Sequence, residues 1–472
     1  MKRSLVFNVF VIMFVFSFYS TEAFGRYIWV ANTGSNTVSK IDTLSDTVVG
    51  DPINVGAGPF AVAVTQDYVF VANIYSKTIS KINKYTDNVE STINLNKHPV
   101  HLALGADGYI YSVVKDSLDF QSNIMAYLYK IDQETDAIIG ELPLGYISTS
   151  AISIGINQQN IAYIPYAHAY TAETGIMIAD LNTFSAQDLH KYPHSPMAYG
   201  YCSHGVSIDS EGNGWTECER LGARNIIKIT PSGVKEFISG VGSLSELVIE
   251  DDGYLWTIDY SETEGINSVV RLDLTDNNYT KFPSSLAPVR IYHGVTYLND
   301  YVWITDPASN VIIKIDPFDG TEVASVPVGA SPRSFGDMSG FEAAQLGFIT
   351  MDLDGDGYDE NEDCNDRDPG INPGETEIKH DGIDQDCNGY DLTTDVLVAE
   401  YVAADDVLKV EATSTFGGNG ETANLEVTGY GPLTWKSNKL FWTDNFDPAG
   451  GNPGSIEVCG IEGCETVQVI VR

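Results

Sequence analysis

"RYIWVANTGSNTVSKID", residues 26–42, is two short runs of alternating apolar residues around a Thr-Gly-Ser-Asn reversal, and it returns as "DYVFVANIYSKTISKIN", residues 67–83. Alternation of this length, broken by Gly, Asn and Ser, is the mark of paired half-buried strands. The first run recurs as "YIWVAN", "YVFVAN", "YIYSVV", "IAYIPY", "NGWTEC", "YLWTID" and "YVWITD". Its aromatic position is filled by Trp29, Phe70, Tyr111, Tyr163, Trp215, Trp256 and Trp303, at separations of 41, 41, 52, 52, 41 and 47 residues. Each is followed by a strand ending "SKID", "SKIN", "YKID", "IADL", "IKIT", "VRLD" or "IKID". A third kind of strand precedes the pair in most copies: "FAVAV", "VHLAL", "SAISI", "HGVSI", "SELVI" and "HGVTY". No helical period is visible anywhere.

A small antiparallel unit cannot bury its faces alone, so copies of it must stack. A unit of about 41 residues with four strands, repeated seven times, predicts a seven-bladed β-propeller. The chain opens on a second strand, so the innermost strand of the first blade must come from the far end. "GASPRSFGDM", residues 329–338, echoes "GAGPFAVAV", residues 56–64, in that place. Joining both ends of the repeat in one blade closes the ring and removes its free edges.

These repeats resemble the YVTN-type and virginiamycin B lyase-like propellers over roughly residues 25–345. In a four-stranded blade, the start of the innermost strand and the loop after the second emerge on one face. Phe60, Val100, Ser150, His204, Ser245, His293 and Arg333 fall at such starts, and Asn32, Asn73, Glu217, Asp259 and Asp306 follow second strands. Convergent polar groups of this kind are what a site requires. The lyase resemblance implies a His base, from His204 or His293, and a cation held by Glu217 or Asp259. The chain departs from that family where it matters: "TECER", "TIDYS" and "TDPAS" lack the family's Glu-x-His pair. The alternative is that these groups merely hydrogen-bond around a wet channel. Tyr- and His-bearing loops, with His168, Tyr170, His190, Tyr192, His194 and Tyr199, add rigid amphipathic contact area on that face. The expected partner there is an extracellular ligand, surface protein or glycan.

The stretch "DLDGDGYDENED", residues 352–363, places seven carboxylates in twelve residues. Like charges this close cost about 1 kcal/mol each even in water unless a cation sits among them. Asp352, Asp354 and Asp356 stand at positions 1, 3 and 5 of a calcium loop, Gly357 at 6, the Tyr358 carbonyl at 7, Glu360 at 9 and Asp363 at 12. "DQDCNGYDLTTD", residues 384–395, repeats the register with Asp384, Asp386, Asn388, Gly389, Tyr390 and Asp395, while Leu392 leaves position 9 to water. Asp366, Asp368, Glu375 and Asp381 lie between as further oxygen donors. The plain alternative is a solvated acidic linker. Residues 352–391 resemble the MopE-type metal-binding motif, whose name implies copper. Copper prefers imidazole or sulfur, whereas the donors here are oxygen apart from His380, which makes calcium the expected cation.

Of 472 residues, 65 are acidic and 26 basic, a net charge of −39. So acidic a chain repels phosphate backbones, which excludes nucleic acid and polybasic-type membrane binding as functions. "MKRSLVFNVFVIMFVFSFYSTEA", residues 1–23, has the basic start, apolar centre and small-residue end of a secretory signal. An uncleaved anchor is the alternative; no later run is long enough to span a bilayer. The cysteines fall into three local pairs, Cys202 with Cys218, Cys364 with Cys387 and Cys459 with Cys464, in keeping with an oxidising compartment: secreted, cell-surface or periplasmic. Cys202 and Cys218 flank a turn that would set them directly opposite.

From residue 396 short alternating strands return, ending in "VCGIEGC", a hairpin with Cys459 and Cys464 at its mouth. Seven strands in this small space predict a compact immunoglobulin-like sandwich. The expected plan is all-β: a signal at 1–23, a propeller at 24–347, a calcium-binding connector at 348–395 and a sandwich at 396–472.

Overall fold

The computed structural model describes residues 26–472 except 120–123, 148–152, 168–172, 194–201, 221–222, 233–234, 240–246, 251–252, 262–265, 284–293, 299, 341–343, 345, 347–353, 355, 357, 360–361, 366–367 and 417–419. Seven antiparallel sheets follow one another, spanning 27–54, 59–94, 98–147, 155–193, 202–239, 248–283 and 295–327. In each, strand order in the sheet equals order in the chain, the up-and-down meander of a propeller blade. Six sheets have four strands, and the first has three: Tyr27–Asn32, Thr37–Asp42 and Thr47–Asn54.

The missing place is taken by the segment after the seventh blade. The Trp29 amide donates to the Met338 carbonyl at 2.9 Å, and the Arg333 amide to the Ala31 carbonyl at 3.1 Å. The segment is not the regular strand that the echo "GASPRSFGDM" predicts; it makes only isolated bridges, Asn32 with Pro332 and Ala61 with Phe335. Pro332 has no N–H to give, and Gly336 turns the backbone to a φ of 77°. The Ser334 hydroxyl substitutes, accepting from the Ala31 amide at 3.1 Å and donating to the Trp29 carbonyl at 3.3 Å. The ring is therefore closed by both ends of the repeat. Blade 1 accordingly shares one core with blades 2 and 3, through Trp29, Ala31 and Val38, and another with blades 6 and 7, through Ile28, Val30 and Ile41.

The aromatic of each repeat is buried, from Trp29 to Trp303. In six of the seven blades the residue opposite it on the third strand is a cation: Trp29 faces Lys40, Phe70 faces Lys81, Tyr111 faces Lys130, Trp215 faces Lys228, Trp256 faces Arg271 and Trp303 faces Lys314. Blade 4 has Ile178 opposite Tyr163. Several of these cations cross to the next blade. Lys40 Nζ bonds the Lys84 carbonyl and Asp87, Lys81 bonds the Gln133 carbonyl, and Arg271 bonds the Pro317 carbonyl. Lys314 reaches from blade 7 to the Thr43 carbonyl of blade 1 at 2.9 Å and Asp46 at 2.8 Å, repeating the same tie across the closure.

Beyond the ring, described residues between 354 and 392 form turns and no strand. Two further sheets follow. One contains Asp395–Val402, Val407–Thr413, Thr434–Lys436, Phe441–Phe446 and Ile470–Val471; the other contains Glu426–Val427, Gly431–Pro432, Ser455–Gly460 and Gly463–Gln468. Leu408, Val410 and Trp442 of the first pack with Val427, Ile456 and Val458 of the second and with Leu425 just before it, forming a β-sandwich.

Candidate metal centre

Carboxylate oxygens of Asp354, Asp356 and Asp363 lie within 4.8 Å of one another. Asp354 and Asp363 are more than nine-tenths buried. The sequence places these three in one loop because short Asx turns fold it back: the Tyr358 amide donates to Asp356 Oδ1 at 2.9 Å and the Asn365 amide to Asp363 Oδ1 at 2.8 Å. Asp356 Oδ2 and Asp363 Oδ2 are buried and have no hydrogen-bond partner among the described residues. Burial pushes the Asp363 carboxyl above the ordinary carboxylate range, and the charges of Asp356 and Asp368 push it the same way. Three carboxylates drawn together, two of them with a buried oxygen that has no hydrogen-bond partner among the described residues, fit a hard cation. Asp352 and Glu360, assigned to the same loop, lie outside the described residues.

A second cluster joins Asp384 and Asp386 to Glu377, again within 4.8 Å. Asp384 accepts from the Asn388 and Gly389 amides at 3.1 and 2.7 Å, which sets the loop. The Asn388 side chain serves the turn, its Nδ2 donating to Asp386 and its Oδ1 accepting from the Tyr390 amide. The Tyr390 ring packs against Phe416. Asp395, at position 12 of the repeat, is not brought to this cluster: its carboxylate holds Lys379 Nζ and His380 Nε2, each at 3.0 Å. The Lys379 ammonium and the His380 imidazole, closer to hand, outcompete the loop for its oxygens. Glu377 stands in its stead, with Oε1 buried and without a partner among the described residues and with the carboxyl raised by burial. Loop numbering by twelve misses Glu377 because it precedes the loop; the density of acids in "PGETE" was the available signal.

The two clusters are pinned together by a disulfide between Cys364 and Cys387. Cys364 follows Asp363 and Cys387 follows Asp386 in the chain. Cys459 and Cys464 are joined as well, within the last hairpin. Cys202 and Cys218 are cross-strand partners in blade 5, and their side chains lie outside the described ones.

On the propeller face, His293 lies outside the described residues, as does the side chain of His204. The remaining groups are largely committed elsewhere. Asp259 is ion-paired with Lys281, and Asp306 accepts from the Ala308 amide at 2.9 Å, closing its own turn. Asn32 and Asn73 do likewise in blades 1 and 2, each donating to a Thr and a Ser hydroxyl on the following strand. Glu217 is buried on its strand, and Arg333 sits half-buried on the closing segment.

Residues 363–391 match the Cu-binding MopE family, described as "Putative metal-binding motif". A comparison with curated proteins finds no match. Among solved structures, the chain is similar to a functionally unknown protein from Desulfotomaculum acetoxidans DSM 771, at 13% identity and a TM-score of 0.49, covering 66% of this chain and 100% of that one. It is also similar to virginiamycin B lyase from Staphylococcus aureus, at 16% identity and a TM-score of 0.45, covering 59% and 89%. Apo AztD from Citrobacter koseri matches at 13% identity and a TM-score of 0.41, covering 65% and 95%. At these scores the likenesses carry no argument about activity, and the propeller rests on the sheet order of this chain. The protein is a seven-bladed β-propeller followed by a MopE-type metal-binding motif at 363–391 and a β-sandwich.

Proposed function

We propose that this is an exported calcium-binding protein whose propeller serves as an extracellular binding or surface-assembly module. One observation carries the cation: the buried Asp363 carboxylate, grouped with Asp354 and Asp356, has an oxygen with no protein partner among the described residues. An all-oxygen set supports a hard cation over copper. Asp354, Asp356 and Asp363 would hold one ion; Glu377, Asp384 and Asp386 offer a second set. The ion supplies positive charge that lets these carboxylates stay ionised when buried. The expected partner of the propeller face is a surface protein or glycan, a reading supported by the Tyr-rich loops of the sequence.

Limited proteolysis of the chelator-treated chain tests the cation. Micromolar to millimolar Ca²⁺ should protect the 354–392 region, with Asp363→Asn losing that protection. Equal cleavage with and without Ca²⁺ contradicts the reading, as does protection by Cu²⁺ where Ca²⁺ gives none.

A further inference from the structure

We propose that the Cys364–Cys387 disulfide sets the strength of the cation site, so that a dithiol reductant and the cation act against each other on one structure. The inference rests on the cation reading above. The disulfide is seated between the two carboxylate clusters: Cys387 Sγ lies 3.8 Å from Asp363 Oδ1, and Cys364 Sγ lies 3.6 Å from the Asp384 carbonyl. The Cys364 amide donates to Cys387 Sγ at 3.0 Å. Cys387 also holds a left-handed φ of 53°, a conformation that a non-glycine residue adopts only when its surroundings impose it. Without the bond, Asp363 and Asp386 belong to chain segments 23 residues apart with no strand between them among the described residues. The covalent tie keeps like-charged clusters adjacent when no cation is bound, and the cation then finds its ligands assembled.

The redox step is a dithiol exchange. The S–S bond takes two electrons and two protons from a small dithiol, giving thiols at Cys364 and Cys387 while the reagent closes into its own disulfide. Linkage is reciprocal: if reduction weakens the cation, the cation must disfavour reduction by the same factor.

Calcium affinity is measured by titration calorimetry on the full chain and on Cys364→Ser/Cys387→Ser, with Cys459→Ser/Cys464→Ser as the control for losing a disulfide elsewhere. In parallel, mass spectrometry measures the equilibrium fraction of thiols at Cys364 and Cys387 in the wild-type chain in buffers of reduced and oxidised dithiothreitol, with and without saturating Ca²⁺; this arm needs no variant to fold. The expected result is an affinity about tenfold weaker in the Cys364/Cys387 variant, unchanged in the control, and a smaller reduced fraction at Cys364 and Cys387 in the presence of Ca²⁺. Equal affinities together with equal reduced fractions overturn the linkage and leave the cation reading intact. No Ca²⁺ binding by the oxidised wild type overturns both.

Discussion

Lys314 shows how single residues close the ring. Its ammonium is buried, lies 4.2 Å from the centre of the Tyr301 ring and 5.2 Å from that of Trp303, and donates across the seam to Thr43 and Asp46. Replacing it by Met keeps the apolar stem but strands the Thr43 carbonyl, so Lys314→Met should cost about 1–3 kcal/mol, read as a shifted denaturation midpoint. Trp29→Ala, which empties a buried ring at the first blade, should cost about 3–5 kcal/mol by the same measurement. Much of this was legible in the letters. "W" of "YIWVAN" and "K" of "SKID" face each other because a two-strand hairpin of this length pairs them in register. The cross-blade reach of the Lys was not legible, since it depends on how one blade is turned against the next.

At the scale of elements, the acidic turns differ from the strands in what holds them. Of the first loop, Asp354, Asp356 and Asp363 stand together at positions the spacing singled out, because successive Asx turns fold that stretch back on itself, while Asp352 and Glu360 lie outside the described residues. The second was readable only in part: Asp384 and Asp386 meet as expected, while Asp395 is drawn to Lys379 and His380, partners that no loop template contains. The irregular closing segment was likewise foreseen in position and not in form, because Pro332 and Gly336 override a strand that pattern alone would allow. Asp363 holds its proton more firmly folded than unfolded, since burial and neighbouring acids raise its carboxyl. Stability of the metal-free chain should therefore rise as the pH falls through the window just above the ordinary carboxylate range, and calcium must displace that proton. Calcium titrations should show weaker binding at about pH 5 than at pH 7, with proton release on binding by the wild-type chain.

For the whole molecule, the propeller, the acidic turns and the sandwich draw their stability from different sources. The ring has apolar cores between its blades, the sandwich has its own, and the turns between have a disulfide, Asx turns and buried carboxylates. Limited proteolysis should accordingly release a fragment ending near residue 345, as expected if seven closed blades unfold as one cooperative unit. The turns are also tied forward: Glu462, fully buried, accepts from the hydroxyls of Thr393 and Thr394 at 2.8 and 2.6 Å, and Glu465 accepts from the Val396 amide at 2.6 Å. Calcium should thus raise the sandwich's thermal midpoint along with that of the turns, by mass action on the folded state. If a cation completes the carboxylate cluster, a crystal structure of the full chain grown in Ca²⁺ will show it in place. The account predicts an ion with oxygens of Asp354, Asp356 and Asp363 at about 2.3–2.6 Å; a well-ordered cluster without an ion, or a metal held by sulfur or imidazole instead, would contradict it.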